Sequence, residues 1–195
     1  MTSVGINGLG RIGRLLTRRL FERHDARAAL RLTMCNEVAD AATVAHLLKY
    51  DSTHGRFSQP VMTDGDHLNI VDQAVLLTHE TAQSKVRWSD RDVNIVIDCT
   101  GVEFNRSSAA QHLGGSVSRV MLSQPASTDV DGTIIWGLND STLTPDMSVI
   151  SAGSCTSNAL MPVLSVIDKA FGIRAGIVTT IHSAMNDQPV IDANH

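Results

Sequence analysis

The stretch Val4-Gly-Ile-Asn-Gly-Leu-Gly-Arg-Ile-Gly-Arg14 decides the fold of this chain. It contains the spacing G-x-G-x-x-G at Gly8, Gly10 and Gly13, between a short apolar run and a segment with helical periodicity. A strand, a tight glycine turn and a helix in this order make up the phosphate-binding unit of dinucleotide-binding domains. The stretch therefore predicts that the chain begins with such a unit.

Each glycine in this turn has a separate steric role. Gly8 allows the sharp turn that leaves the strand, and Gly10, which lacks a Cβ, lets a pyrophosphate approach the backbone. Gly13 lets the helix pack closely against the strand. The helix N-terminus then presents unpaired N–H groups and a partial positive charge to the phosphates.

The helix after the turn is expected to be amphipathic. Ile12, Leu16 and Leu20 are spaced by four and predict the face that points toward the sheet. The other face is expected to be solvated and to carry the basic residues of the helix, which are Arg11, Arg14, Arg18 and Arg19.

An acidic residue follows the second predicted strand, which is Leu30-Arg-Leu-Thr-Met-Cys35. Glu37 lies 24 residues after Gly13, close to the roughly 20 residues expected in dinucleotide-binding folds. A carboxylate at this place accepts hydrogen bonds from the ribose hydroxyls and repels a 2′-phosphate, so it predicts NAD rather than NADP as the cofactor. The alternative is an ordinary loop glutamate.

Strand-like and helix-like segments alternate through the first 150 residues. We therefore predict an α/β fold with a Rossmann-type, doubly wound and mostly parallel sheet. The apolar run Val93-Asn-Ile-Val-Ile-Asp-Cys99 predicts a buried central strand that ends at Thr100 and Gly101, on the carboxyl edge where ligands bind. The other predicted elements are helices over 40–49 and 105–113, a hairpin turn over 63–66, and strands over 119–123, 133–136 and 148–151.

The character of the sequence changes after residue 151. Small polar residues surround Cys155, and a helical pattern runs from there to about Phe171, with Pro162 inside it and Gly172 at its end. The segment Gly176-Ile-Val-Thr-Thr-Ile-His182 predicts a strand rich in β-branched residues. We place a dinucleotide-binding domain at 1–152 and the truncated start of an α+β catalytic domain at 153–195.

Cys155 and His182 are the candidate reactive pair. A cysteine at a helix start is stabilised as a thiolate, the nucleophilic form. An imidazole nearby would take the thiol proton and move protons for the substrate. The alternative for Cys155 is a small buried residue, which is the common role of cysteine. Cys35 and Cys99 fall inside predicted strands and are expected to be core residues.

Composition and charge narrow the classes of partner. The chain carries 16 basic and 20 acidic residues, a net charge of −4, and gives no indication of a nucleic-acid or membrane surface. No apolar run reaches membrane-spanning length, and the first strand begins too early for a signal peptide. Three cysteines without a secretion signal predict reduced thiols in the cytoplasm. No Cys and His pair has zinc-ligand spacing, so we assign no metal.

Five blocks of sequence together resemble the glyceraldehyde-3-phosphate dehydrogenase superfamily. In chain order they are Ile6-Asn-Gly-Leu-Gly-Arg-Ile-Gly-Arg14, Lys49-Tyr-Asp-Ser-Thr-His-Gly-Arg-Phe57, Asp98-Cys-Thr-Gly101, Ser154-Cys-Thr-Ser-Asn158 and Thr179-Thr-Ile-His182. The resemblance implies that Cys155 attacks an aldehyde carbon to form a thiohemiacetal and then a thioester, with His182 as the base. It also implies a set of NAD-site residues, namely Asn7, Gly8, Gly10, Arg11, Ile12, Gly13, Glu37, Thr100, Gly101 and Ser123. Ser154 and Thr156 would flank the substrate, a phosphorylated aldose.

Within the superfamily, two features are more similar to the erythrose-4-phosphate dehydrogenases than to the glycolytic enzymes. They are Asn36-Glu37, where the glycolytic type has Asn-Asp, and the segment from His182 to Ala193. This branch implies oxidation of D-erythrose 4-phosphate to 4-phosphoerythronate by way of water, in pyridoxal phosphate biosynthesis. Two alternatives stay open, a phosphorylating glyceraldehyde-3-phosphate dehydrogenase and a non-catalytic NAD-binding module.

The sequence departs from the superfamily pattern at three places. Ala159 replaces a second cysteine one helical turn after Cys155, and Thr81 replaces an arginine that helps to hold adenine. Ser157 replaces a threonine but keeps its hydroxyl. Because superfamily members are considerably longer, we expect this chain to be a fragment that binds NAD weakly and turns over little alone, and a homotetramer at full length.

Overall fold

The structure is a computed structural model that describes residues 1–102 and 105–182. In this part of the chain, one sheet of nine strands forms the centre of the molecule. In chain order the strands are β1 (Thr2–Asn7), β2 (Leu30–Asn36), β5 (Val61–Asp64), β6 (His67–Ile70), β7 (Gln73–Thr78), β8 (Ile95–Asp98), β9 (Arg119–Leu122), β10 (Gly132–Thr133) and β11 (Val149–Ser151). Two further strands, β3 (Tyr50–Asp51) and β4 (Gly55–Arg56), form a small separate hairpin.

The strand order is β10-β11-β9-β8-β1-β2-β7-β6-β5. All neighbours from β10 to β7 run parallel, whereas β7, β6 and β5 are antiparallel. The strand order changes direction at β1, which pairs with β2 on one side and with β8 on the other. This is the switch point at which open α/β sheets bind ligands. The predicted doubly wound, mostly parallel sheet is confirmed.

Five α-helices occur in the described residues, α1 (Arg11–Glu22), α2 (His24–Ala29), α3 (Ala41–Lys49), α4 (Arg106–Ala109) and α5 (Cys155–Phe171). The carboxylate of Asp40 accepts a hydrogen bond from the Thr43 N–H at 2.9 Å and caps α3, as predicted. The predicted helix over 105–113 is a short α4 that continues as a 3-10 turn. None of these helices is long and apolar enough to cross a membrane.

The two faces of the sheet are covered by different parts of the chain. On one face, α1 and α3 contribute Leu20, Phe21 and Leu48 to a core around Ile6. On the other face, the segment around Trp88 packs against the sheet in a second cluster. Both faces of the central strands are therefore buried, which explains their nearly continuous apolar sequence.

The inward face of α1 differs from the predicted one. Ile12 is 53% exposed, because the buried stripe of this helix begins one position later, at Gly13, and continues through Thr17 and Leu20. Arg18, expected in the solvated face, is 4% exposed. Its guanidinium is buried because it donates to the main-chain oxygens of Leu48 at 2.9 Å and Gly55 at 3.1 Å. It also lies over the Phe57 ring.

Two predicted strands differ from the structure: one is shorter, and the other does not form. The predicted strand over 133–136 is reduced to Gly132–Thr133, and Trp136 is exposed. The predicted strand over 176–182 is irregular, and Ile177 and Ile181 are almost fully exposed. β-branched residues favour a strand only where a neighbouring strand accepts their hydrogen bonds and their side chains. None of the described strands pairs with this segment.

Candidate active site

The glycine turn has the geometry that its spacing predicts. Gly8 has φ +86°, a left-handed conformation that strains other residues, and the turn reverses the chain directly after β1. A Cβ on Gly13 would lie 2.0 Å from the main-chain oxygen of Gly8, so α1 and the turn approach too closely for any side chain there. The helix N-terminus is thereby held beside the end of β1.

The N-terminus of α1 is open to an anion. Gly10 is the N-cap residue, no side chain caps the helix, and the first turn contains no acidic residue. A Cβ built on Gly10 would meet no atom within 4 Å, so there is space directly in front of the backbone. Unpaired N–H groups, a positive helix end and free space are the features that bind a phosphate group.

Glu37 stands at the rim of this space, just beyond β2. Its Oε2 accepts the Leu9 N–H at 2.7 Å, and its Oε1 lies 3.3 Å from the Ala39 N–H. The carboxylate is therefore fixed to the glycine turn itself. Each carboxylate oxygen has a second lone pair, so the group still has acceptor capacity for hydroxyl donors.

A cleft of about 290 Å³ joins these features along the carboxyl edge of the sheet. It runs from the ends of β1 and β2 to the end of β8. The residues that line it are Asn7, Gly8, Gly10, Asn36, Glu37, Val38, Glu80, Thr81, Gln83, Cys99, Thr100 and Val102. The free space at Gly10 and the hydroxyl-accepting carboxylate at Glu37 fit the pyrophosphate and a ribose of a dinucleotide, respectively.

The remaining predicted cofactor residues lie around the same edge. Thr100 lines the cleft, and Gly101 follows it with φ +77°. Ser123 lies just after β9, where its hydroxyl donates to the side-chain oxygen of Gln124 at 3.0 Å. Arg11 and Ile12 are exposed in the first turn of α1 and do not line the cleft.

A second site lies at the start of α5. Ser154 is the N-cap residue, and its hydroxyl oxygen accepts the Ser157 N–H at 2.9 Å. Cys155 is the first residue of the helix and is exposed. The Sγ of Cys155 lies 3.5 Å from Nε2 of His182, so the structure brings the two predicted reactive residues together.

The environment favours the thiolate form of Cys155. The hydrogen bond with His182 lowers the pKa of the Cys155 thiol below its ordinary value, and a hydrogen bond with Thr156 lowers it further. Burial instead raises the pKa of the two other thiols, that of Cys99 to about 11 and that of Cys35 still higher. Among the three thiols, only that of Cys155 is exposed and has a lowered pKa, whereas Cys35 and Cys99 are core residues as predicted.

A groove of about 470 Å³ opens beside Cys155 and His182. Thr156 lines this groove, as do Ala159 and Leu160 one turn further along α5. Ser154 does not line it, because its hydroxyl is engaged in capping the helix and in a 2.8 Å contact with the Ser157 hydroxyl. Ala159 places a methyl group where a second thiol would otherwise face the groove.

Sequence reasoning missed three polar residues behind the cleft. Asp98 is fully buried at the end of β8, His112 contacts it through Nε2 at 3.3 Å, and Gln124 donates to it at 3.3 Å. A charged residue in an otherwise apolar central strand was the available signal for Asp98. Nothing in the sequence paired it with His112, because the contact depends on where the 3-10 turn after α4 lies relative to β8.

Comparison with protein families gives two matches. Residues 2–106, more than half of the chain, match the family model described as "Glyceraldehyde 3-phosphate dehydrogenase, NAD binding domain". Residues 154–195 match the model described as "Glyceraldehyde 3-phosphate dehydrogenase, C-terminal domain". The first match contains the glycine turn and Glu37, and the second begins one residue before Cys155. NAD is therefore the cofactor of the N-terminal domain, and the matched domains are those of an NAD-dependent oxidoreductase.

Proposed function

Because this chain belongs to the glyceraldehyde 3-phosphate dehydrogenase family, we propose that it oxidises D-erythrose 4-phosphate to 4-phosphoerythronate. The observation that carries this proposal is the 3.5 Å contact between Cys155 Sγ and His182 Nε2 at an exposed helix N-terminus. A thiolate beside an imidazole is the arrangement required for covalent attack on an aldehyde.

In this mechanism Cys155 attacks the aldehyde carbon and forms a thiohemiacetal. The carbonyl oxygen becomes an oxyanion, which the His182 imidazolium and the main-chain N–H of Cys155 stabilise. Main-chain N–H groups in the first turn of a helix have no intrahelical partner, so this donor is suited to the role. NAD, when bound, supplies the hydride acceptor that converts the thiohemiacetal to a thioester. After His182 has released the thiol proton to solvent, its neutral imidazole takes a proton from the water that attacks the thioester, and the acid is released as Cys155 leaves as the thiolate.

The chain holds NAD, in this proposal, through the glycine turn and the cleft beside it. The N–H groups at the start of α1 would face the pyrophosphate, and Glu37 would accept the hydroxyls of one ribose. The other proposed contact residues are Asn7, Arg11, Ile12, Thr100, Gly101 and Ser123. Thr156 would contact the substrate in the groove beside Cys155, and Ser154 would act there by capping the helix that carries the thiol.

Two further proposals concern organisation. We place the domain boundary at residue 152, since β11 ends at Ser151 and α5 begins at Cys155. The resemblance to the superfamily supports a homotetramer for the full-length protein. Free thiols at all three cysteines support a reducing compartment such as the cytoplasm.

The choice of erythrose 4-phosphate is supported by Glu37 and by the sequence after His182. Most of that segment, residues 183–193, lies outside the described residues. The phosphorylating oxidation of glyceraldehyde 3-phosphate is the alternative within the same family.

The test is an assay of the purified full-length protein with each aldehyde, with and without inorganic phosphate, following NADH. We expect erythrose 4-phosphate to be oxidised at a rate that does not depend on phosphate. Oxidation of glyceraldehyde 3-phosphate that requires phosphate would instead support the glycolytic reaction. Binding of NAD without oxidation of either aldehyde would support a non-catalytic module.

A further inference from the structure

A continuous run of buried and partly buried hydrogen bonds crosses the carboxyl edge of the sheet. Nδ2 of Asn36 donates to Oδ1 of Asn7 at 2.8 Å, and Nδ2 of Asn7 donates to Oδ2 of Asp98 at 2.7 Å. Nε2 of Gln124 donates to the other carboxylate oxygen of Asp98 at 3.3 Å. The main-chain oxygen of Gln124 accepts the Ser151 hydroxyl at 2.7 Å. We call these five residues the edge network.

The edge network is unusually well buried for a polar cluster. Among the described residues, four of its members, Asn7, Asn36, Asp98 and Ser151, are 5% exposed or less. Burying such groups is costly unless each one finds its hydrogen-bond partners. Apolar side chains would fill these positions without that cost, so the polar groups require an explanation beyond packing.

Asp98 sets the direction of the network. An ionised carboxylate only accepts hydrogen bonds, so the amides of Asn7 and Gln124 must both turn their nitrogen atoms toward it. Asn7 consequently presents its oxygen to Asn36, which fixes that amide too. Reversing any one amide would place two donors or two acceptors against each other.

One end of the network supports the wall of the NAD cleft. Oδ1 of Asn36 accepts the Glu80 N–H at 2.9 Å, and its Nδ2 donates to the Glu80 main-chain oxygen at 2.9 Å. Thr100 donates to Asp98 through its N–H at 3.0 Å and through its hydroxyl at 2.6 Å. Asn7, Asn36, Glu80 and Thr100 all line the cleft.

The other end supports the turn that leads to the nucleophile. The Ser151 hydroxyl oxygen accepts the Gly153 N–H at 3.0 Å, two residues before Cys155. Gly153 has φ +73°, and a Cβ there would lie 2.8 Å from Ile135. The backbone between β11 and α5 is therefore held in one conformation by the Ser151 hydroxyl and by close packing.

Asp98 contacts the buried ring of His112, which in turn contacts the buried ring of Trp88. Nε1 of Trp88 donates to Nδ1 of His112 at 3.1 Å. Because an indole nitrogen only donates, Nδ1 of His112 must be the acceptor, and the proton of the neutral ring lies on Nε2, which faces Asp98. Burial alone raises the pKa of Asp98, but the hydrogen bonds from His112, Thr100 and Asn7 outweigh it and lower the pKa below its ordinary value.

We propose that Asp98 is a positioning residue shared by two sites. Its charge orients the side chains of Asn7 and Thr100 in the NAD cleft. It also orients Gln124, which in turn holds Ser151 beside the turn that leads to Cys155. One carboxylate then fixes the position of the NAD cleft relative to the Cys155 thiol. The proposal depends on NAD binding by the N-terminal domain and on the reactivity of the Cys155 thiol, and not on which aldehyde is oxidised.

The test compares a central variant with two end variants. Two readouts are used, the Kd for NAD by calorimetry and the pH profile of Cys155 alkylation by iodoacetamide, followed by peptide mapping. Asp98→Asn, which turns an acceptor into a partial donor, is expected to raise the Kd and to slow alkylation at neutral pH, each by about tenfold. Asn36→Ala is expected to raise the Kd alone, and Ser151→Ala to slow alkylation alone.

Two controls separate positioning from loss of stability. Arg18→Met removes a buried charge that donates to the main-chain oxygens of Leu48 and Gly55, outside the network, so it is expected to lower the free energy of unfolding without changing either readout. Asp51→Asn makes the same chemical change as the central variant at a carboxylate whose partners are local, namely the main-chain N–H groups of Thr53 and His54 and the His54 ring. It is also expected to change neither readout.

A further variant covers the case in which Asp98→Asn does not fold. Gln124→Met removes the amide donor at a partly exposed position and is expected to slow alkylation, which is the decisive readout for this variant because Gln124 also accepts the Ser123 hydroxyl. If Asp98→Asn or Gln124→Met lowers only the free energy of unfolding and changes neither readout, Asp98 is merely structural and the proposal is wrong. Neither readout contains an aldehyde, so failure of the proposed reaction would be seen separately.

Discussion

The Sγ of Cys155 and the Nε2 of His182 lie 3.5 Å apart although 27 positions separate them in the chain. The helix α5 carries Cys155 at its first residue and ends at Phe171. Gly172, with φ +73°, then ends the helix, and the chain returns to the starting point of α5. The thiol and the imidazole thus face each other at the positive end of a helix dipole, which stabilises the thiolate further.

The first prediction concerns the selectivity of thiol labelling. At neutral pH, iodoacetamide is expected to label Cys155 rapidly and Cys35 and Cys99 hardly at all, because the pKa is lowered only for the exposed thiol. His182→Ala removes the main cause of the lowered pKa. Without this hydrogen bond the pKa of Cys155 should rise toward its ordinary value, so the thiolate fraction at neutral pH falls and alkylation should slow severalfold. Equal labelling of all three thiols would contradict this account.

The second prediction compares two glycines of the same turn. Gly13→Ala places a Cβ 2.0 Å from the main-chain oxygen of Gly8, so it is expected to lower the free energy of unfolding by about 1–3 kcal/mol or more. Gly10→Ala meets no protein atom and should lower that free energy less, by the roughly 0.5–1 kcal/mol that alanine costs at an N-cap. Its methyl group fills the space in front of the helix N-terminus, so the Kd for NAD should rise by about tenfold or more. Denaturant unfolding and calorimetry measure the two effects separately.

The third prediction concerns the choice of cofactor. Glu37→Gln keeps an acceptor for the Leu9 N–H but removes the negative charge at the rim of the cleft. NAD binding should weaken, because a neutral amide accepts ribose hydroxyls less strongly than a carboxylate does. NADP binding should improve, because the repulsion of the 2′-phosphate is lost. We expect the ratio of the two Kd values to narrow by about tenfold, and an unchanged ratio would show that Glu37 does not contact the ribose.

The fourth prediction concerns stability in acid. The N–H of Val149 at 2.9 Å and that of Ser148 at 2.7 Å hold the pKa of Asp131 at about 2. In the unfolded chain Asp131 has an ordinary pKa of about 3.9, so it is protonated at a higher pH than in the folded chain. Acid therefore favours unfolding. The stabilisation is complete above about pH 4 and is lost as the pH falls toward about 2.

Asp131→Asn tests this linkage, since the variant has no carboxylate to titrate. It should be less stable than the parent chain at neutral pH, and the difference should shrink as the pH falls through this window. Asp72→Asn is a suitable control, because Asp72 lies on the surface in an exposed ion pair with Arg27. Parallel stability curves for Asp131→Asn and the parent chain would contradict the prediction.

The sequence predicted most reliably those features that depend on local chemistry. The glycine turn, the cap of α3 by Asp40 and the end of α5 at Gly172 each follow from the conformation of one or two residues. The central strands were predictable because both faces are buried and the apolar run is nearly continuous. The pairing of Cys155 with His182 was inferred as a role, but only the structure gives its distance.

The features that the sequence did not predict depend on partners distant in the chain. Arg18 is buried because the carbonyl oxygens of Leu48 and Gly55 lie within reach, which no periodicity indicates. The segment 176–182 has strand-forming residues, but its conformation is set by whether another strand lies beside it. Asp98 at the end of β8 contacts His112 in the 3-10 turn that follows α4, and this contact is tertiary.

The position of β1 has a consequence for the order of assembly during synthesis. Among the described strands of the sheet, β1 is made before the others, yet it pairs with β8 through residues 95–98 as well as with β2. One edge of β1 therefore stays unpaired on the ribosome until residues 95–98 have emerged, and an unpaired edge is prone to association with other chains. The glycine turn follows directly from β1, so the cofactor site forms late, and NAD cannot assist the nascent chain before β8 has been added to the sheet.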